Sequence, residues 1–171
     1  MKRLAIVLGL LGLVGIPRPA DATLLMFEAN LSGDQQVPPV VTQGTGFGTV
    51  LLDDVAHTIV VNLTFQNLSM PALLGHIHGP ADASHNANVL FPFTGVPMAT
   101  SGTLPEQTFS ITDSQIADLE AGLDYFNLHT ANNPNGEIRG QIHAVPEPGT
   151  LALAAGGLGT LGLLRRRRGE R

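Results

Sequence analysis

Residues 58–68 read Thr-Ile-Val-Val-Asn-Leu-Thr-Phe-Gln-Asn-Leu, and this stretch decides the fold class. Ile59, Val61, Leu63 and Phe65 recur at every second position. A period of two marks a β-strand with one face in a core, because successive side chains leave a strand on opposite sides. Just upstream, residues 45–52 alternate in the same way, and Asp53-Asp54-Val55-Ala56-His57 reads as the hairpin loop between the two runs. Further out, residues 24–31 form an apolar run closed by the turn cluster Ser32-Gly33-Asp34. Segments 73–79, 88–93, 100–104 and 107–111 are further short strands. Residues 125–130 and 137–143 flank Asn132-Asn133-Pro134-Asn135-Gly136, a hairpin signal because Asn-Gly tolerates positive φ. Asn62-Leu63-Thr64 and Asn67-Leu68-Ser69 match the glycosylation triplet and are read here as strand residues.

One short helix interrupts the strands. Thr112 and Gln115 have the spacing of a capping box, Ile116, Leu119 and Leu123 share a face, and Gly122 suits the C-terminal end. Many short strands with turn residues between them predict an all-β antiparallel sandwich or partly closed barrel with one short helix. That domain spans residues 23–144, long enough to bury one core without disulfides.

The charge distribution is uneven. Lys2, Arg3 and Arg18 lie at the front and Arg165 to Arg168 with Arg171 at the back. Between Thr23 and Ala144, Arg139 is the one basic residue against eleven acidic ones, a net charge of −10. A body this acidic repels phosphate backbones, so nucleic acid is excluded as a partner. The absence of cysteine removes disulfides, thiolate metal sites and a cysteine nucleophile. No phosphate loop, dinucleotide fingerprint or Gly-x-Ser-x-Gly elbow is present.

Both ends read as addresses. Residues 1–22 have the make-up of a secretory signal: a basic start, a short apolar core from Leu4 to Ile16, then Pro17 and Pro19. Ala20-Asp21-Ala22 offers the small residues signal peptidase reads, with cleavage after Ala22. Residues 145–171 hold the stiff linker Val145-Pro146-Glu147-Pro148-Gly149, an apolar segment from Thr150 to Leu164, and the arginine run. As a helix that segment would reach about 22 Å at 1.5 Å per residue, short of a bilayer core of about 30 Å. The positive-inside rule keeps both basic ends in the cytoplasm and sends the acidic middle out.

Pro146-Glu147-Pro148, an apolar helix and a terminal arginine run closely resemble the PEP-CTERM sorting signal of Gram-negative bacteria. The resemblance implies that an exosortase cuts near Pro146 to Pro148 after transient anchoring in the inner membrane. It implies a cell-surface or matrix location, with exopolysaccharide or surface proteins as partners. A permanent C-terminal transmembrane anchor is the alternative. The body has landmarks of its own: Leu31-Ser32-Gly33 with Val37-Pro38-Pro39-Val40, Gly75-His76-Ile77-His78-Gly79-Pro80, Tyr125-Phe126-Asn127-Leu128-His129-Thr130, and 133–141 (NPNGEIRGQ). Together, from about Phe27 to His143, they resemble the CHRD domain. That resemblance implies an immunoglobulin-like sandwich, similar to that of copper-zinc superoxide dismutase, and points to a binding or structural module.

One constellation carries chemistry. His76 and His78 leave a strand on the same face while Ile77 enters the core. His129 shares a face with Tyr125 and Asn127, opposite Phe126 and Leu128. If the two strands are neighbours, three imidazoles converge on the outside of the sheet. Three neutral imidazoles suit copper or zinc and leave a fourth position open. The likeness to copper-zinc superoxide dismutase puts His76, His78 and His129 at the copper ligands, gives Arg139 an anion-guiding role, and leaves His85 as sole candidate for a bridging histidine. The alternative is structural: each imidazole bonds a carbonyl, His-Ile-His-Gly-Pro is a tight corner, and Arg139 pairs with Glu137 or Asp124. His57 and His143 read as solvated. Two functions follow: a surface or matrix binding module, or a copper- or zinc-binding domain with superoxide chemistry.

Overall fold

The computed structural model describes residues 24–146. The expected signal peptide at 1–22, Glu147, Pro148 and the apolar C-terminal segment lie outside them. Among the described residues no helix is long and apolar enough to cross a membrane.

The strands are β1 Leu24–Ser32, β2 Thr45–Asp53, β3 Thr58–Gln66, β4 Ala72–His78, β5 Val89–Pro92, β6 Gly102–Thr103, β7 Gln107–Ser110, β8 Tyr125–Thr130, β9 Ile138–Gln141 and β10 His143–Ala144. The helix α1 spans Asp113–Glu120. The strands join one curled sheet in the order β5-β4-β8-β9-β1-β2-β3-β6, with β10 on β1 and β7 on β3. All the pairings are antiparallel. The two halves of the sheet are joined where β9 meets β1 through one residue pair, Arg139 and Ser32. This is the all-β sandwich or barrel-like architecture the alternation predicts.

The alternation is realised side chain by side chain. Phe27, Ala29 and Leu31 of β1, Val50 and Leu52 of β2, and Ile59, Val61, Leu63 and Phe65 of β3 are buried. They face Ile77 of β4, Phe126 and Leu128 of β8, and Ile138 of β9 in one core. Each such aliphatic or aromatic side chain contributes roughly 1.5–3 kcal/mol when fully buried. The two layers touch closely at Gly48, where an added Cβ would lie 2.6 Å from the Phe126 ring. The helix begins as the spacing predicts: Thr112 and Gln115 form a complete capping box, and Gly122, at φ +71°, lets the chain turn away. The β2–β3 hairpin is tied by Asp53, whose carboxylate accepts from the Val55 and Ala56 amides.

Four details depart from the sequence reading. The expected strand 137–143 is two strands. Its chain changes partner at Ile142, whose N–H bonds the Asp124 carbonyl, so β9 pairs with β8 and β10 with β1. The segment 100–104 contributes only Gly102–Thr103 to the ladder. Asn67 lies past the end of β3 at φ +57°, a conformation that ends strand pairing. Finally, the second face of β8 is not on the outside: all six of its residues are buried, because the 79–88 and 132–136 loops and Arg139 cover it.

Two buried carboxylates carry opposite electrostatics. Glu137 is fully buried, and burial alone would push its carboxyl up. It accepts hydrogen bonds from the Thr42, Ser69 and Thr130 hydroxyls and the Ser69 amide, and these outweigh burial and hold it below its usual value. Asp124 is 1 % exposed, and neither of its carboxylate oxygens has a hydrogen-bond partner among the described residues. Burial first, and the charge of Asp118 second, push it up to about 7.

Two outcomes follow. Glu137→Gln keeps the shape but removes the charge that four hydrogen bonds stabilise and forces the Ser69 and Thr130 hydroxyls to turn round and accept, so unfolding free energy in urea should drop by about 2–3 kcal/mol. For Asp124 the folded state keeps a proton the unfolded chain loses near pH 3.8. Its contribution is therefore greatest below pH 3.8 and is lost as pH rises through 7. Asp124→Asn should gain stability relative to the parent between pH 4 and 8, by at most about 4 kcal/mol. A difference in melting temperature that is flat across this range would contradict the assignment.

Candidate metal centre

His76 and His78 lie on β4 with Ile77 between them, 1 % exposed in the core. The neighbouring strand β8 runs antiparallel, with His76 opposite Asn127, His78 opposite Tyr125 and Leu74 opposite His129. His129 is thus a diagonal neighbour of His76 on the same face. The strand adjacency that the sequence left conditional is present, and the three rings meet. One ligand atom from each lies within 4.8 Å of the other two.

The geometry identifies the ring atoms. His78 Nδ1 is 3.0 Å from the Ala87 carbonyl oxygen, and His129 Nδ1 is 2.9 Å from the Pro134 carbonyl oxygen. A carbonyl only accepts, so each Nδ1 carries a proton and each Nε2 holds a lone pair. The His78 Nε2 is buried without a hydrogen-bond partner. The His129 Nε2 faces His76 Nδ1 at 3.2 Å. Two nitrogens bound to one tetrahedral ion at about 2.0–2.1 Å stand roughly 3.3 Å apart. Because His129 Nε2 holds a lone pair, the proton of that contact sits on His76 Nδ1. Nε2 of His78 and His129 thus hold the lone pairs an ion can take, and His76 would join them through Nδ1 by moving its proton to Nε2. Carbonyl acceptors behind two of three rings are the usual device for fixing a ligand's tautomer. His76 is the half-buried member and marks the open side.

The electrostatics keep all three rings neutral. Burial is the main cause in each case. His76 is pulled down to about 4, helped by His129 and His78. His78 is lowered by burial against the opposing effect of the Ala87 carbonyl, with His129 and Arg139 adding to the lowering. His129 is lowered by burial against the effect of Pro134. Neutral imidazole is the form that binds a metal ion. These residues fit copper or zinc: all-nitrogen donors, no competing charge on the rings, and a fourth position left open.

Arg139 is 1 % exposed, and its guanidinium pairs with neither Glu137 nor Asp124. It donates to the carbonyls of Asp82 and His85 and to the side chains of Asn86 and Gln141. Its donors thus point into a loop. His85 is exposed and bonds Asp82, away from the trio. His57 pairs with Asp113 at 3.0 Å on the surface, and His143 is exposed on β10. Of the sorting residues, Pro146 falls within the described residues and follows Val145, whose N–H bonds the Met26 carbonyl. Sequence reasoning did not reach Tyr125, whose ring is stacked on His78 at an interplanar angle of 8°. Its face was readable from the period of two, but its partners were not.

Residues 27–142 match the CHRD domain. The chain belongs to the CHRD-domain family. Residues 144–168 of this CHRD protein match the PEP-CTERM protein-sorting motif. That motif implies processing by an exosortase and supports export and sorting to the surface. No curated protein and no solved structure matches the chain. The likeness to copper-zinc superoxide dismutase accordingly stays a pattern of residues in this CHRD domain.

In the metal-free protein the ring protons of His76 should titrate near pH 4 by NMR. His76 binds fewer protons in the folded than in the unfolded chain below pH 6.5, so its contribution to stability is lost as pH falls from about 6.5 to 4, and His78 and His129, also lowered, act in the same direction. A His76 midpoint at 6.5 would mean that the ring is solvated.

Proposed function

We propose that this CHRD domain is an exported, exosortase-sorted surface module whose ligand is a copper or zinc ion held by His76, His78 and His129. The observation that carries the reading is the buried, unpartnered Nε2 of His78 beside two further imidazole donors. A buried acceptor without a partner costs about 1–3 kcal/mol, and a bound ion would remove that cost. A matrix or polysaccharide partner has the sorting motif behind it, and the surface is where such a module would meet its metal. When bound, copper would supply one-electron chemistry at the open position, and zinc would supply Lewis acidity. The protein's own part is to hold three rings neutral, to fix two tautomers from behind, and to leave one side open.

The test is metal content by mass spectrometry on protein exported to the periplasm, beside His76→Ala and His129→Ala. About one equivalent of copper or zinc is expected in the parent, and a loss of most of it in both variants. Equal, near-zero metal in all three samples would end the reading and return the protein to a non-metal binding module.

A further inference from the structure

Resting on the metal reading above, we propose that Arg139 is a positioning residue for the His78 ligand, acting through Tyr125 and the loop of residues 81–87. Tyr125 lies on the strand between them. The His78 ring packs parallel to the Tyr125 ring, with centroids 5.1 Å apart, from the strand on one side. From the strand on the other side, the Arg139 guanidinium carbon stands 3.6 Å from the centroid of the same ring. Imidazole, phenol and guanidinium thus form one stack across β4, β8 and β9.

The loop connects to the same three groups. Arg139 Nη1 donates to the His85 carbonyl at 2.9 Å and to Asn86 Oδ1 at 3.3 Å. Its Nη2 donates to the Asp82 carbonyl and to Gln141 Oε1, both at 3.0 Å. Gln141 in turn donates to the Ala81 carbonyl at 2.8 Å. The Tyr125 hydroxyl accepts from the Ala87 amide at 3.0 Å, and the Ala87 carbonyl accepts from His78 Nδ1. The segment has a turn of its own, with the His85 amide on the Asp82 carbonyl and Ser84 and His85 on the Asp82 carboxylate, and Asn86 also bonds the Val37 carbonyl. Two side chains of β9 and one of β8 fix that turn against the sheet at residues 81, 82, 85, 86 and 87. The product of this clamp is one carbonyl aimed at one ring nitrogen. With that carbonyl in place, the proton of His78 is on Nδ1 and its Nε2 lone pair faces the other two imidazoles.

The arginine is an expensive way to tie a loop. It is buried, it makes no ion pair with a carboxylate among the described residues, and it spends its donors on neutral oxygens. A planar fork with fixed donor directions can reach four acceptors and still lie flat on an aromatic ring, which a lysine cannot do. Loss of a group that orients a ligand from behind typically lowers metal affinity by about 10–100-fold.

The experiment uses Arg139→Lys, which keeps the charge and loses the fork, and Tyr125→Phe, which keeps the ring and loses the hydroxyl. Long-range nitrogen–proton NMR reads the His78 tautomer in the metal-free proteins, and Cu(II) titration with electron paramagnetic resonance reads the site. The parent should show a single Nδ1–H tautomer. Both variants should show a mixed tautomer, copper affinity lower by about 10–100-fold, and a changed copper hyperfine splitting. A parent tautomer and spectrum in both variants would overturn the proposal while leaving the metal reading intact. A parent that takes up neither copper nor, in a parallel calorimetric titration, zinc, with variants that still lose the tautomer, would sink the metal reading and keep the positioning. Should Arg139→Lys not fold, Tyr125→Phe decides alone, since it removes one oxygen atom and leaves the stack.

Discussion

A strand buried on both faces is the constraint from which this molecule is built. Antiparallel strands usually keep one face wet, and an apolar–polar alternation then suffices. The strand Tyr125–Thr130 has no wet face. Its apolar side, Phe126 and Leu128, meets the meander of β1 to β3. Its other side presents a phenol, an amide and an imidazole, and these, like the Thr130 hydroxyl at the strand's end, need partners as demanding as they are. The Asn127 side chain accepts from Gln36, Thr130 donates to Glu137, Tyr125 meets Arg139 and the Ala87 amide, and His129 meets Pro134. The loops over this face are long because they must bring that set of acceptors and donors. Gly136, at φ +120°, belongs to the same requirement: a side chain there would collide with Asn127 and Gln36.

Two buried charges lie beside this strand, and neither neutralises the other. Glu137 takes four hydrogen bonds from hydroxyls and an amide, and Arg139 gives four to carbonyls and side-chain oxygens. Each is solvated by the protein as water would solvate it, at the ends of loops that would otherwise have no anchor. Glu137 binds residues 42 and 69 to the β8–β9 hairpin, while Arg139 binds residues 82–86 to β9. Asp124 is the contrast. It has burial without donors, so it is best accommodated as a neutral acid.

The sequence made one layer legible and hid the other. Alternation at Ile59, Val61, Leu63 and Phe65 displays the apolar face outright, because hydrophobic burial is additive and local in its pattern. The capping box at Thr112 and the Asn-Gly turn are likewise local, and both are found where their spacing puts them. His76 and His78 could be assigned to one face from their spacing alone. Their meeting with His129 depended on β4 and β8 being neighbours, which is a matter of topology. The cover on the second face depended on irregular loops whose hydrogen bonds span tens of residues, such as Arg139 to Asp82 and Gln36 to Asn127. No periodicity encodes such contacts. For this reason the sequence placed the imidazoles on an outer surface, and for this reason it offered Arg139 two acidic partners when its acceptors are two backbone carbonyls and two neutral side-chain oxygens.

The burial of the imidazoles bears on what they are for. A histidine kept only as a structural pin needs one good hydrogen bond and a place in which its other nitrogen meets water or a donor. His129 and His78 each have the first, from a carbonyl behind the ring. For His78 the second is missing, and its Nε2 is turned into a pocket of rings. A leucine would fill such a place with less loss, since it brings no lone pair to desolvate. The arrangement makes physical sense when the front nitrogens have a common partner. On the proposed metal reading the desolvation becomes preorganisation: the rings are already neutral, those of His78 and His129 are already turned, and His76 Nδ1 and His129 Nε2 are already spaced near the separation of two ligands on one ion. On the same reading, His76 alone would have to change: its proton would pass from Nδ1 to Nε2 and free Nδ1 from the hydrogen bond to His129, while the other two rings would stay where their carbonyls hold them.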